Sequence, residues 1–116
     1  AASEDFNEIW LGVHAGDHFI YPDCRPVFCG MMDGAVRHGT DGAVRLRTPL
    51  IQNTKAEILK LGLANKVPYK LTRTCYSRLE IACGKCGACQ ERLEAFKMNS
   101  VEDPLDYYSR DIMPRS

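Results

Sequence analysis

Four cysteines near the end of the sequence constrain this chain more than any other feature. Cys75, Cys83, Cys86 and Cys89 fall within a stretch of 15 residues. Thiolates are among the donors that zinc prefers, and structural zinc sites are tetrahedral with four protein ligands. The Cys-Gly-Lys-Cys turn supplies two sulfurs, and a helix that starts at Cys86 places Cys89 on the same face. Because four cysteines leave no open coordination position, the spacing predicts a structural zinc ion.

Two other interpretations of the cysteines remain open. An iron–sulfur cluster also takes four cysteines, and Cys-x2-Cys-x2-Cys begins the bacterial ferredoxin run. That run continues with x3-Cys-Pro, whereas Gln-Glu-Arg-Leu follows Cys89 here. A dithiol redox site needs fewer cysteines than this cluster offers. Zinc is the favoured reading, and Cys24 and Cys29 are expected to be free thiols.

Composition limits the class of protein and the partners it takes. The 116 residues are enough for one domain with a modest core. The 15 basic and 15 acidic residues cancel, so no overall field attracts nucleic acid. No apolar run has membrane-spanning length, and the first five residues are acidic rather than signal-like. We therefore expect a cytoplasmic protein with no direct nucleic-acid or membrane partner, and metal binding rather than disulfides.

The first part of the sequence alternates between strand and helix patterns. The apolar run Ile9–Val13 predicts a strand covered on both faces, and Val44–Arg47 predicts a second strand with one wet face. Between them, an apolar stripe predicts a helix capped by Asp23, with its core-facing residues at Phe28, Met31, Met32 and Ala35. Thr54 and Glu57 form a capping box that starts a further helix, which ends before Pro68. This order predicts an α/β layer.

The sequence changes character after about Leu71. We expect residues 1–70 to be part of an α/β domain, and residues 71–116 to be a zinc-binding loop and helical tail packed on it. The tail helix runs from Gln90 to Met98, with Leu93 and Phe96 on the cysteine stripe. Two strands make a poor sheet alone, so the α/β layer is expected to be incomplete, the end of a larger sheet.

A polar segment follows the first predicted strand. In open α/β sheets, ligands bind beyond the carboxyl ends of the strands, so this segment is a candidate site. It also fits an exposed loop, and His14 with His18 fits a second metal site less well. Cys24 is either a nucleophile or a small buried residue. Cationic side chains that could grip phosphates, or form a solvated face, are Arg45, Arg47 and Lys55.

Three stretches, in this order, resemble one family. They are Gly12–Pro26 with its Tyr-Pro-Asp-Cys-Arg core, Thr48–Ile58 (Thr-Pro-Leu-Ile-Gln-Asn-Thr-Lys-Ala-Glu-Ile), and Thr74-Cys75 with Cys83–Cys89. Together they resemble the 7-cyano-7-deazaguanine synthase family. The first stretch is the most specific, whereas the second is shared more widely among ATP pyrophosphatases of the PP-loop class.

The resemblance implies a Rossmann-like fold of the adenine nucleotide alpha hydrolase-like type, and a C–N ligase of queuosine or archaeosine biosynthesis. Such an enzyme converts 7-carboxy-7-deazaguanine, ammonia and ATP into the nitrile. The family's zinc cysteines match Cys75, Cys83, Cys86 and Cys89. Lys55 is a candidate ATP contact, and the catalytic residues are not identified. The implied substrate-binding residues are His14, Asp17, His18, Tyr21, Asp23, Cys24 and Arg25.

One motif of that family does not occur here. The family's ATP site rests on a Ser-Gly-Gly-x-Asp-Ser loop, which this sequence does not contain. We therefore expect these residues alone to be inactive, and to work as a homo-oligomer or with a PP-loop-bearing half. Two other functions stay open: a small zinc-binding interaction module, and another PP-loop adenylating enzyme. Binding of 7-carboxy-7-deazaguanine distinguishes the nitrile-forming ligase from both of these alternatives.

Overall fold

A parallel pair of short strands joined by a helix opens the computed structural model, which describes residues 2–114. Strand β1 is Glu8–Trp10, helix α1 is Pro26–Gly39 and strand β2 is Arg45–Arg47. Parallel neighbours need a crossover connection, which α1 provides. The predicted order of strand, helix and strand is confirmed. The two strands pair in the register Glu8–Arg45, Ile9–Leu46 and Trp10–Arg47.

Helix α1 packs on β2 through a face that the apolar stripe did not indicate. Met31 is 71% exposed, and Phe28, Met32 and Ala35 are exposed as well. The side turned to the strand carries buried Cys29 and the Asp33 carboxylate, which accepts a hydrogen bond from the Leu46 N–H at 2.8 Å. This bond and buried Cys29 mark the face of α1 that packs on the first unit, and the apolar stripe lies on an exposed face. The prediction that Met31 and Met32 lie in the core is wrong for this structure.

Strand β1 is shorter and more exposed than predicted. It ends at Trp10, whose side chain is 66% exposed, so the prediction of a strand covered on both faces is wrong. In the described part of the chain the sheet has two strands, and the helix between them packs on β2. Asp23 does not cap α1 either, because Arg25 occupies the N-cap without a side-chain bond. Pro26 begins the helix instead, with a fixed φ and no N–H to satisfy.

Two helices pack against each other in the second part of the chain. Helix α2 is Lys55–Ala64 and helix α3 is Gly87–Met98, close to their predicted bounds. Leu59 on α2 and Ala95 and Phe96 on α3 form a buried cluster. The ring of Tyr69 meets Phe96 edge-on, with 5.5 Å between the ring centroids. Aromatic pairs prefer this arrangement.

The chain divides between Thr54 and Lys55 into two compact units. This division places α2 with the cysteine-bearing part, whereas the predicted boundary at residue 70 placed it with the strands. The two predicted domains, residues 1–70 and 71–116, stay a prediction. The α/β class is confirmed by the three α-helices and the parallel strand pair within residues 2–114, and the Rossmann-like layer also stays a prediction. None of the helices within residues 2–114 has both the length and the apolar character that crossing a membrane requires.

Candidate metal centre

The four cysteine sulfurs converge in the second unit. All four Sγ atoms lie within 4.8 Å of one another. The Sγ of Cys83 is 3.6 Å from that of Cys75 and 4.0 Å from that of Cys89. Sulfurs bonded to one tetrahedral zinc ion, at about 2.3 Å each, are about 3.8 Å apart. The cluster could therefore hold one metal ion with little rearrangement of the sulfurs.

A turn and a helix start place these sulfurs. Gly84, between Cys83 and Cys86, has a φ of +75°, a backbone conformation that glycine adopts without strain. Cys86 is the N-cap of α3, and its Sγ accepts a hydrogen bond from the Cys89 N–H at 3.4 Å. Cys89 lies one turn into the helix and is fully buried, with no exposed surface. The positive end of the helix dipole thus lies beside two of the four sulfurs.

Backbone N–H groups point at the sulfurs elsewhere in the cluster. The Sγ of Cys75 accepts from the N–H groups of Ser77 and Cys83, both at 3.4 Å. The Sγ of Cys83 accepts from the N–H groups of Lys85 and Cys86, at 3.4 and 3.3 Å. Such donors stabilise sulfur in its anionic form, which is the form that binds metal.

The thiols differ widely in acidity. A hydrogen bond with the Ser77 hydroxyl, together with the Cys83 N–H, lowers the pKa of Cys75 to about 5. Burial raises the pKa of Cys89 to about 12. Burial also opposes ionisation of Cys86, but hydrogen bonds from the N–H groups of Cys89 and Tyr76 outweigh it, so its pKa is lowered. Four thiolates this close repel one another, and a bound cation is what allows all four to be deprotonated.

Arg73 organises the loop that brings Cys75 to the other cysteines. Its guanidinium donates to the carbonyls of Ser77, Leu79 and Glu80 at 3.1, 2.7 and 3.0 Å. It also donates to the carbonyl of Cys75 itself at 3.4 Å. One planar group with five donors therefore sets the shape of a loop that has no regular secondary structure.

A buried ion pair supports the other side of α3. Arg92 donates to both oxygens of Asp103, at 2.7 and 2.9 Å, and Asp103 is 2% exposed. The Tyr107 hydroxyl donates to the same carboxylate at 2.6 Å. Burial opposes ionisation of Asp103, but these hydrogen bonds outweigh it and lower its pKa. Arg92 also donates to Thr72 Oγ1 at 2.8 Å and to the Tyr69 carbonyl at 3.0 Å, so it joins three segments of the unit.

The sequence pattern missed both arginines. Neither arginine belongs to a motif that spacing alone reveals. Arg73 bonds to nearby backbone carbonyls, which any sequence supplies, and the partners of Arg92 lie 11 or more residues away along the chain. In the sequence, Asp103 stands before Pro104, a pair that indicates only the end of a helix. A charged residue on the inner stripe of α3 was the available signal, since Arg92 lies three residues after Cys89. Such a residue needs a buried partner.

The predicted substrate segment folds into two short 3-10 turns, Ala15–Asp17 and Pro22–Cys24. His14 Nδ1 accepts from the Gly16 N–H at 3.1 Å, and His14 Nε2 lies 3.2 Å from the Asp17 carboxylate. Arg25 donates to the His18 carbonyl at 2.7 Å.

The other side chains of the predicted substrate segment differ in exposure and in hydrogen bonding. Tyr21 and Asp23 are exposed. The Nε2 atom of His18 is buried and has no hydrogen-bond partner within the described part of the chain. Burial raises the pKa of Cys24, with Asp23 adding to the effect. The assignment of these residues to a substrate site stays a prediction.

Lys55 lies at the first position of α2. Its Nζ atom is 3.5 Å from the Glu91 carboxylate. It also lines a cavity of about 190 Å³ within the second unit, with apolar walls that include Leu59, Tyr69 and Phe96. The role of Lys55 as an ATP contact stays a prediction.

Comparison with known proteins gives one consistent result. A family model described as Queuosine biosynthesis protein QueC matches residues 1–100. The chain is 50% identical over 107 residues to the 7-cyano-7-deazaguanine synthase of Pseudoalteromonas translucida, covering 92% of this chain and 49% of that protein. The enzyme of Hahella chejuensis is 49% identical over 109 residues, covering 94% of this chain and 47% of that protein. That of Methanospirillum hungatei is 43% identical over 109 residues, covering 92% and 50%. The chain spans about half the length of the curated relatives it matches.

Proposed function

The chain belongs to the queuosine biosynthesis protein QueC family, and from this premise we propose that it is part of an ATP-dependent C–N ligase. The reaction converts 7-carboxy-7-deazaguanine and ammonia into 7-cyano-7-deazaguanine. ATP adenylates the carboxylate and releases pyrophosphate, and ammonia then displaces AMP to give the amide. A second ATP activates the amide oxygen, which departs with AMP as two protons leave the nitrogen and the nitrile forms.

The four-sulfur cluster is the structural observation that supports this proposal. Over the aligned residues the relatives are 43% to 50% identical to this chain, and the family resemblance assigns zinc to these cysteines. The spacing of the sulfurs matches one tetrahedral ion. In a four-iron cluster each cysteine binds a different iron, which spreads the sulfurs more widely. We infer that Cys75, Cys83, Cys86 and Cys89 hold Zn²⁺, which supplies structural cross-linking rather than chemistry.

The substrate is proposed to bind at the segment from His14 to Arg25. Asp23 is exposed, and a carboxylate accepts hydrogen bonds from the paired N–H groups of a guanine-like edge. The unpartnered Nε2 of His18 is a further group that a polar ligand would satisfy. Lys55, at the start of α2, is proposed to face the phosphates of ATP, with Glu91 holding it in the absence of nucleotide.

We propose that the phosphate cradle comes from a PP-loop-bearing half, through assembly with such a half or with another copy. The apolar side chains that α1 and β1 expose support this assembly, because Met31 and Trp10 leave their apolar surface to water. Alone, these residues are expected to bind zinc and not to form the nitrile. The assembly is proposed to work in the cytoplasm, with small-molecule substrates and without direct contact to nucleic acid or membrane.

Two measurements on the same sample test the proposal. Elemental analysis is expected to give one zinc per chain. Calorimetric titration with 7-carboxy-7-deazaguanine is expected to show binding that Asp23→Asn weakens at least tenfold, since the site then leaves a donor of the base unpaired.

Asp41→Asn is the matched control, because Asp41 is an exposed aspartate in the turn after α1. Equal affinity of all three proteins, or no binding by the parent chain, would remove the substrate assignment from this segment. Iron, or no metal at all, would contradict the zinc site.

A further inference from the structure

The C-terminal tail, residues 103–113, lies against the cysteine turn. The Tyr108 N–H donates to the carbonyl of Ala82, the residue before Cys83, at 2.9 Å. At Gly84 a side chain would meet the tail directly, because an added Cβ would lie 1.6 Å from the Ser109 carbonyl oxygen. The backbone of the tail therefore occupies the space beside the turn that presents Cys83 and Cys86.

Gln90 joins the tail to that turn. Its Nε2 donates to the carbonyl of Gly84 at 2.7 Å and to the carbonyl of Asp111 at 2.8 Å. Its Oε1 accepts from the N–H of Met113 at 2.7 Å. The orientation of the amide is unambiguous, because carbonyl oxygens only accept and a backbone N–H only donates. One side chain thus makes three short bonds, one to the turn and two to the tail.

The start of the tail, at Asp103, is held without help from Gln90. Asp103 is fixed by the buried pair with Arg92, and Arg110 donates to the carbonyls of Asp103 and Leu105 at 3.0 and 2.6 Å. The tail is therefore anchored at its start by Asp103 and near its end by Gln90. Its residues from 109 to 113 form a strap, which Gln90 holds.

We propose that Gln90 is a positioning residue for the metal site: it clamps the strap to the cysteine turn and holds Cys83 and Cys86 at ligand spacing. The inference rests on the proposed zinc site. A turn that is already ordered loses less conformational freedom when the metal binds, so the affinity is higher. Partners outside the ligand set that orient metal ligands typically account for about 10- to 100-fold in affinity.

The first test compares Gln90→Ala with Gln52→Ala, the same change at the other glutamine, which is exposed and lies in the first unit. Zinc affinity is measured by competition with a chromophoric chelator. Gln90→Ala is expected to bind zinc about 10- to 100-fold more weakly, and Gln52→Ala as tightly as the parent. Alanine favours helices more than glutamine does, so a weaker α3 does not account for the loss.

A spectroscopic readout separates positioning from loss of stability. Cobalt(II) gives absorption bands that depend on the geometry of its donors. At saturating cobalt, Gln90→Ala is expected to show shifted bands and Gln52→Ala the parent spectrum. Bands in Gln90→Ala that match the parent, or an unchanged zinc affinity, would overturn the proposal.

Truncation after Tyr108 tests whether Gln90 acts through the strap. It removes Asp111 and Met113, two of the three partners of the Gln90 amide. In the parent background the truncation should weaken zinc binding about as much as Gln90→Ala. In the Gln90→Ala background it should add little, because coupled groups are not additive.

Equal losses from the truncation in both backgrounds would overturn the proposal. If Gln90→Ala does not fold, the truncated parent decides alone, and unchanged zinc affinity there overturns it. A parent chain that binds no zinc overturns both this inference and the zinc site, whereas zinc binding that is indifferent to Gln90 overturns this inference only.

Discussion

The two compact units cover their apolar side chains to different degrees. Among the described residues of the first unit, Cys29 and Val44 are buried, whereas the stripe with Met31 is exposed. The second unit buries Leu59, Leu93 and Phe96. It adds a buried ion pair, an arginine-braced loop and a four-cysteine cluster. A small unit with few apolar contacts gains stability from a metal and from satisfied polar networks. The first unit has no such device among its described residues.

Metal removal should give the largest difference between the units. Zinc in sites of this kind contributes about 10–16 kcal/mol of apparent binding free energy. Treatment with a chelator is expected to abolish hydrogen-exchange protection of the Cys86 and Cys89 amides. The Leu46 amide, bonded to Asp33 in the first unit, should keep its protection. Full protection of the cysteine amides after verified zinc loss would mean that the second unit does not depend on metal.

The buried ion pair should give the next largest effect. Asp103→Asn keeps the shape of the side chain but leaves Arg92 as an uncompensated buried charge. Breaking a buried pair in this way costs about 3–5 kcal/mol. The midpoint of urea unfolding of the zinc-loaded protein measures the loss. Asp106→Asn, at an exposed aspartate of the same tail, should change stability by less than about 0.5 kcal/mol. Equal midpoints for both variants would show that Arg92 is satisfied without Asp103.

The same carboxylate predicts how stability depends on pH. The folded state lowers the pKa of Asp103, so its contribution is fully present above the unfolded pKa of about 3.9. That contribution is lost as the pH falls through the lower folded value. Urea midpoints between pH 3 and pH 6 should therefore fall more steeply for the parent than for Asp103→Asn. Comparing the two proteins removes the acid sensitivity of the metal site, which both share. Parallel curves would contradict the lowered pKa.

The smallest effect is expected on the exposed stripe of α1. Met31→Ala should change the stability of this chain by less than about 0.5 kcal/mol, because the side chain is exposed. Leu93→Ala, in the core of the second unit, should cost about 2–5 kcal/mol. Urea unfolding of both variants makes the comparison. A large loss in Met31→Ala would show that this stripe is covered in the chain by itself, and that no partner is needed to bury it.

The sequence by itself determined the metal cluster, the helices and the family. Cysteine spacing acts locally, since a turn and one helical step bring three of the four sulfurs near one another. The capping pair Thr54 and Glu57 and the turn residues likewise indicated where α2 starts and ends. The motifs around Tyr21 to Arg25 indicated the family, and the matched relatives confirm it.

Only the tertiary structure decided which groups hold the cluster and which face of α1 is buried. The apolar stripe of α1 predicted a core at Met31, but the helix packs through the face that carries Cys29 and Asp33, with Asp33 bonded to the Leu46 N–H. Arg73, Arg92 and Gln90 bond mainly to backbone carbonyls or to residues far along the chain, and such partners leave no periodic trace in the sequence. Local spacing fixes what a short segment can bind, whereas long-range hydrogen bonds depend on how the segments pack.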